Sequence, residues 1–177
     1  MAVLKLVKPD LKYRTPYLEM LEEWHSAGEE PHPWVLEVDP TDFKALVEKL
    51  ENFSRGIDVP SDYVPSSAFW AYDQESRQIV GAVNIRHYLN DFLLRIGGHI
   101  GYGVRPGERR KGYAARILAL ALEECRKLKL TKVMLGCYKD NLGSVKTILK
   151  NGGVLENEIM EEESGKIVQR YWIDLNS

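Results

Sequence analysis

Hydrophobic positions change period several times along the chain, and each change marks an element. Residues 3–7 alternate apolar and charged side chains, which reads as a strand. Leu18, Leu21 and Trp24 follow at helical spacing behind Thr15-Pro16, an N-cap with proline in the first turn, and Gly28 ends the run. A second helix opens at Asp39-Pro40 and puts Phe43, Leu46, Val47 and Leu50 on one face. A Pro- and Ser-rich loop over residues 56–67 interrupts the pattern. Residues 68–72 and 79–87 then read as a hairpin closed by 73–77, and residues 99–104 as a third antiparallel strand that Pro106-Gly107 breaks. The strongest helical stripe is Ile117, Leu118, Ala121, Leu122, Cys125 and Leu128. Residues 132–138 form a strand rich in Val, Met and Leu, and 141–151 a short helix ended by Gly152-Gly153. Residues 154–159 and 167–175 close the chain as a hairpin around Glu161-Glu162-Glu163.

The order β-α-α-β-β-β-α-β-α-β-β predicts an α/β (α+β) sandwich with a mixed sheet. The β-loop-α-β crossover over residues 99–138 predicts a parallel, right-handed strand pair. With 177 residues, no internal repeat and no low-complexity linker, a single domain over 1–177 is expected. The 44% hydrophobic and 28% charged composition excludes a mostly disordered chain. The 24 basic and 26 acidic residues give a net charge of −2, against a dedicated nucleic-acid binder. Cys125 and Cys137 are too few for a disulfide framework, and both lie in apolar segments, as buried reduced thiols do. No stretch approaches the ~20 apolar residues of a membrane span, and the first residues lack a signal-peptide apolar region. A cytoplasmic protein with no membrane partner and no metal is the expectation.

The chemistry concentrates in the 104–114 stretch, Val-Arg-Pro-Gly-Glu-Arg-Arg-Lys-Gly-Tyr-Ala, between a strand and the amphipathic helix. Arg105, Arg109, Arg110 and Lys111 against Glu108 crowd positive charge where a helix N-terminus prefers anions. A bound anion held by the free N–H groups of Arg110, Lys111, Gly112, Tyr113 and Ala114 would compensate, with Gly112 allowing close approach. A solvated basic turn explains the charge equally well at this level. A phosphate-binding P-loop is excluded because Tyr113 and Ala114 stand where Lys and Ser/Thr are required. A dinucleotide fingerprint is excluded because Gly101 and Gly103 are followed by Pro106.

In this strand-loop-helix context, Arg109-x-x-Gly112-x-Ala114 resembles the [Arg/Gln]-x-x-Gly-x-[Gly/Ala] signature of the GNAT superfamily, the acetyl-coenzyme-A-dependent N-acyltransferases. A second match is the strand over 132–138, then Asn141-x-x-Ser144, then a short helix ending in Asn151-Gly152-Gly153. Ile85-Arg86-His87 with Gly97-Gly98-His99-Ile100-Gly101-Tyr102 is similar to a bacterial subgroup of such transferases. The resemblance covers residues 68–175; the first 67 match only in their order of elements. It implies a six- to seven-stranded, mostly antiparallel sheet with helices on both faces and a splayed parallel pair. It also implies acetyl-coenzyme A as co-substrate, with its pyrophosphate on the amides from Arg109 to Ala114. The pantetheine arm would pair with Gly103 and Val104, and Asn141 and Ser144 would contact its far end. The acceptor would be a small-molecule or peptide amine, attacked directly in a ternary complex. A homodimer is common in the superfamily.

Acyl transfer needs a neutral amine, and a lysine-like amine has a pKa of ~10.4, so a base is required. On the strand before the signature, His99 and Tyr102 are the titratable choices, on opposite faces by strand alternation. A histidine satisfied by neighbouring backbone is the competing reading of His99. In many family members a tyrosine seven residues after the Asn protonates the leaving thiolate; here that position is Ile148, with Tyr138, Tyr113 and Tyr171 as substitutes. This departure keeps open a second reading, a coenzyme-A-binding sensor without turnover.

Overall fold

The computed structural model describes residues 3–176 and contains seven strands and four helices in the expected order. They are β1 (Leu4–Val7), α1 (Arg14–Ser26), α2 (Phe43–Ser54), β2 (Ser66–Asp73), β3 (Gln78–Arg86), β4 (Ile100–Val104), α3 (Tyr113–Lys127), β5 (Lys132–Tyr138), α4 (Leu142–Lys150), β6 (Val154–Glu161) and β7 (Lys166–Asp174).

Two helix starts differ from expectation. The first helix begins at Arg14 without a side-chain cap, so Thr15-Pro16 lies inside its first turn. The second is capped three residues later than expected, where Asp42 accepts the Ala45 N–H at 3.1 Å. Asp39 instead binds the Thr41 N–H and hydroxyl, closing a local turn that competes with the helix.

The strands form a four-stranded sheet ordered β1-β2-β3-β4 and a three-stranded sheet ordered β5-β7-β6. Every ladder is antiparallel. The strands over residues 99–104 and 132–138, expected as a splayed parallel pair, form no ladder with each other among the described residues and edge different sheets. They meet through His99. Its N–H donates to the Met134 carbonyl at 2.7 Å, and its Nδ1 accepts the Met134 N–H at 3.0 Å. A side chain thus replaces a ladder bond, and the rest of the β4 edge facing β5 stays without a strand partner.

Alternation along β2 divides the core. Phe69 and Ala71 point toward α3, which buries Ile117, Leu118, Ala121, Leu122 and Cys125. Ala68 and Trp70 point to the other face, where α1 and α2 bury Tyr17, Met20, Leu21, Trp24, Phe43, Leu46 and Leu50. Burying each large aliphatic of these stripes stabilises by about 1.5–3 kcal/mol, enough to fix all three helices on the sheet. A bulge opposite Ala71 and Tyr72 leaves Val80 outside the ladder, and its carbonyl accepts the Arg105 N–H at 2.8 Å. That bond steers the chain out of β4 into the loop before α3.

Candidate active site

The 105–112 loop is clamped from outside by α1. The buried Arg105 guanidinium meets Glu23 at 2.5 and 2.6 Å and the Ile79 carbonyl at 3.2 Å, and the Gly107 N–H donates to the same Glu23 carboxylate. Arg109 donates to both oxygens of Glu29 at 3.0 and 2.6 Å and to the Val104 carbonyl at 3.3 Å. Its guanidinium also lies 5.0 Å above the Trp24 ring. The Glu29 hydrogen bond raises the Arg109 pKa, and the same bond holds Glu29 below the usual carboxylate range. Lys111 pairs with Glu108 at 3.1 Å. The positive charge of this loop is therefore largely answered by carboxylates of the protein itself. Arg105, Arg109 and Lys111 are partnered; Arg110 alone of the four makes no ion pair among the described residues.

The main chain supplies what the side chains do not. Among the described residues, the N–H groups of Arg110, Lys111, Gly112, Tyr113 and Ala114 have no hydrogen-bond partner, whereas the Arg109 N–H donates to Pro106 at 3.4 Å. Gly112 caps α3 with a φ of +83°, a left-handed conformation that costs an L side chain about 1–2 kcal/mol. Tyr113 anchors this turn from below, donating to Asp73 at 2.7 Å. That bond and burial push its phenol up to about 12. Against the upward push of burial, the bonds from Tyr113, Ser76 and Glu75 keep Asp73 below the usual carboxylate range.

Arg110, Gly112, Tyr113 and Ala114 line a groove of about 730 Å³ that runs from Trp24 and Arg109, past Gly103 and Val104 on the unpaired edge of β4, to Asn141 and Ser144; Lys111 stands outside its lining. The Asn141 carboxamide caps α4, accepting the Ser144 N–H at 3.1 Å. A second cavity of about 460 Å³ continues it, with His32, Tyr102, Asn141 and Ser144 lining both. Its other walls include Arg86, Phe92, Ile96, Cys137, Tyr138 and Ile148. Volumes of this size are those of small-ligand sites. A further cavity of about 320 Å³, walled by Trp34, Tyr63 and Leu93, shares Arg86 and Phe92 with the second.

His99 lines none of these cavities; its Nδ1 lone pair is spent on Met134. Burial, with Arg86 nearby, lowers its pKa to about 4. The structure thus gives His99 the backbone-bridging role described above. Tyr102 does sit at the junction of the two main cavities. Its hydroxyl is buried beside Ser144 and Thr147 but in hydrogen-bond geometry with neither. Burial drives its pKa up to about 12, so it keeps its proton at neutral pH and is a donor, not a base.

The other tyrosines considered as proton donors are engaged elsewhere: Tyr138 with Glu161, Tyr113 with Asp73 and Tyr171 with Gln169. Ile148 is buried and shapes the second cavity. Cys125 is buried and Cys137 half-buried in the cavity wall, and both are free thiols. Burial pushes the Cys137 thiol up to about 11, which keeps it protonated and poorly nucleophilic.

The residue that sequence reasoning passed over is His32. It precedes Pro33 in the α1–α2 connection and packs its carbonyl against β4 so closely that a Cβ at Gly103 would collide with it. Its ring is crowded by protein atoms yet exposes surface at the cavity mouth. That crowding, then the Arg86 charge, lowers its pKa, so the imidazole is neutral near pH 7. The only signal in the sequence was the Pro31-His32-Pro33-Trp34 stretch itself.

Comparison with known proteins agrees with this geometry. The model of the Acetyltransferase (GNAT) family matches residues 4–152. No curated protein matches the sequence. Among solved structures, a chimera of the Vibrio cholerae spermidine N-acetyltransferase with hSSAT superposes with a TM-score of 0.66 at 17% identity, covering 98% of this chain and 96% of that one. The microcin C7 self-immunity acetyltransferase MccE, in complex with acetyl-CoA and AMP, gives 0.65 at 18% identity, covering 97% and 92%. A dodecameric spermidine N-acetyltransferase from Vibrio cholerae gives 0.65 at 19%, covering 99% and 94%. At these identities the superpositions establish the fold alone; the family match over most of its length places the chain in the GNAT family of acetyltransferases.

Proposed function

We propose that the protein transfers an acetyl group from acetyl-coenzyme A to a primary amine, by direct attack with both substrates bound. The observation that carries this reading is continuity. A run of five unpaired amides leads into α3, and four of its residues, Arg110, Gly112, Tyr113 and Ala114, line a groove that follows an unpaired strand edge into a second cavity lined by a neutral histidine and an orphan phenol. The cradle fits a diphosphate because its donors are main-chain N–H groups at a helix N-terminus with nothing bulky over Gly112. Arg110, Lys111, Gly112, Tyr113 and Ala114 would hold the coenzyme's pyrophosphate, with the Arg109 side chain bracing the loop against Glu29. Gly103 and Val104 would pair with the pantetheine arm as an added strand, and Asn141 and Ser144 would meet its end. The coenzyme supplies the acetyl group as an activated thioester.

The protein's own groups supply the proton handling. His32 accepts the proton that the ammonium must lose before its nitrogen can attack. Tyr102 donates a hydrogen bond where the sulfur leaves. A thiol of pKa ~8.5 departs as thiolate without full protonation, so a donor is sufficient there.

The test measures free thiol release from acetyl-coenzyme A across a panel of primary amines, alongside the coenzyme's effect on thermal stability. Amine-dependent thiol release with a rise in Tm supports the reading. A rise in Tm with no release on any amine favours the sensor reading instead. No coenzyme effect on Tm contradicts both.

A further inference from the structure

The wall of the acceptor cavity contains a cation without an anion. Arg86, the last residue of β3, is largely withdrawn from solvent, and burial lowers its pKa to about 10. Its Nη1 donates to the carbonyls of Gly97 and Gly98 at 3.3 and 3.4 Å, which fixes the guanidinium plane. Neither Nε nor Nη2 has a hydrogen-bond partner among the described residues, and no carboxylate pairs with the group. This contrasts with Arg105, Arg109 and Arg170, each of which meets a glutamate. Asp62 lines the adjoining cavity together with Arg86, and no ion pair joins them among the described residues. The 460 Å³ cavity is otherwise walled largely by Phe92, Ile96, Ile100, Ile148 and Val168, and no Asp or Glu lines it.

A partly buried guanidinium without a counter-charge, with Nε and Nη2 free, is completed by an anionic ligand. Nε and Nη2 present two N–H bonds on one edge of the plane, the spacing that matches the two oxygens of a carboxylate. The same cavity lacks the acidic side chains that a polycation needs. We infer that the acceptor is an amine that also carries a carboxylate, held by Arg86 while its amino group faces His32, and that polyamines are disfavoured at this site. The inference rests on the acetyl-transfer reading and deepens it to an acceptor class.

The test uses the full chain saturated with coenzyme A and matched ligand pairs: phenylalanine against phenethylamine, leucine against isoamylamine, and spermidine as the polycation. Calorimetric binding and, with acetyl-coenzyme A, thiol release are both read. At least one amino acid of these pairs is expected to bind, and to have a kcat/KM at least 30-fold above its decarboxylated partner and above spermidine. Arg86→Gln should raise the KM of that amino acid about 30-fold with kcat changed less than threefold, and Arg86→Lys should recover part of the loss. A melting curve with coenzyme A checks that each variant is folded, and Arg86→Lys carries the test if Arg86→Gln is not. The inference is overturned if decarboxylated amines or spermidine match the amino acids, if no amino acid binds the coenzyme-loaded protein, or if the folded Arg86 variants keep the wild-type KM. In each of those outcomes a retained coenzyme effect on Tm leaves the acetyl-transfer reading standing, whereas loss of that effect in the wild type removes the reading itself.

Discussion

The two ends of the groove are built by opposite means. At the proposed coenzyme end, the free groups are main-chain amides of one contiguous loop, and the side chains around them are occupied with one another: Arg105 with Glu23, Arg109 with Glu29, Lys111 with Glu108. At the proposed acceptor end, the polar groups that line the cavity are side chains from distant segments, among them His32, Arg86 and Tyr102. Among these, Arg86 and the Tyr102 hydroxyl are left with unfilled hydrogen-bonding capacity. A site made of backbone recognises a group common to every reaction of its kind. A site made of unsatisfied side chains recognises one acceptor class and is free to diverge.

If that contrast is right, the coenzyme end should fail through backbone changes. Gly112→Glu should abolish the acetyl-coenzyme A shift in Tm, which at a hundredfold excess over Kd is worth about 2.7 kcal/mol, or roughly 5–10 °C. Gly112→Ala separates strain from blockage: at a φ of +83° it should cost about 1–2 kcal/mol of stability while keeping a measurable coenzyme shift. Equal loss in both variants would mean that the cradle depends on conformation and not on access.

The acceptor end should fail through side chains, with the coenzyme still bound. His32→Gln should lower kcat about 10²-fold with the KM for acetyl-coenzyme A unchanged. The sign of the pH dependence follows from the lowered His32 pKa. Activity should fall as pH drops through a value below the ordinary ~6.5, as the ring gains its proton, and stay unaffected by His32 between pH 7 and 8. A wild-type acid limb that persists in His32→Gln would assign the base elsewhere. Tyr102→Phe should cost about tenfold in kcat and leave Tm unchanged or slightly higher, because the buried hydroxyl it removes has no partner to lose.

The smallest effect belongs to the brace between the two regions. Glu29→Ala should cost about 0.2–1 kcal/mol, since the pair with Arg109 is exposed, and should weaken coenzyme binding only a few-fold. A larger loss would mean that Arg109 is released to do something the cradle needs.

The same contrast explains what could be read from the sequence. The eleven elements were legible because their signals are local: the alternation over residues 3–7 and the Ile117-to-Cys125 stripe need no tertiary information. The run of free amides proposed as the cradle was legible because Gly112 and the amides around it are consecutive. The splay of β4 from β5 came only with the family resemblance, and the contact that joins them, the His99 ring in place of a ladder bond to Met134, was not legible, being a choice between a side chain and a strand that no local pattern records. His32 was not legible either. Its place is set by the approach of its carbonyl to Gly103, 71 residues later in the chain. Arg86 was visible as a residue but not as an unpaired charge, because ion pairing is a property of the folded neighbourhood.

The five backbone amides from Arg110 to Ala114 can be observed one by one. Amide chemical shifts, followed by NMR as acetyl-coenzyme A is titrated into the wild-type protein, should change at Arg110, Lys111, Gly112, Tyr113 and Ala114 along one common saturation curve. Gly103 and Val104 should follow on the same curve. Saturable binding that leaves the 110–114 amides unmoved while other residues respond would contradict the account.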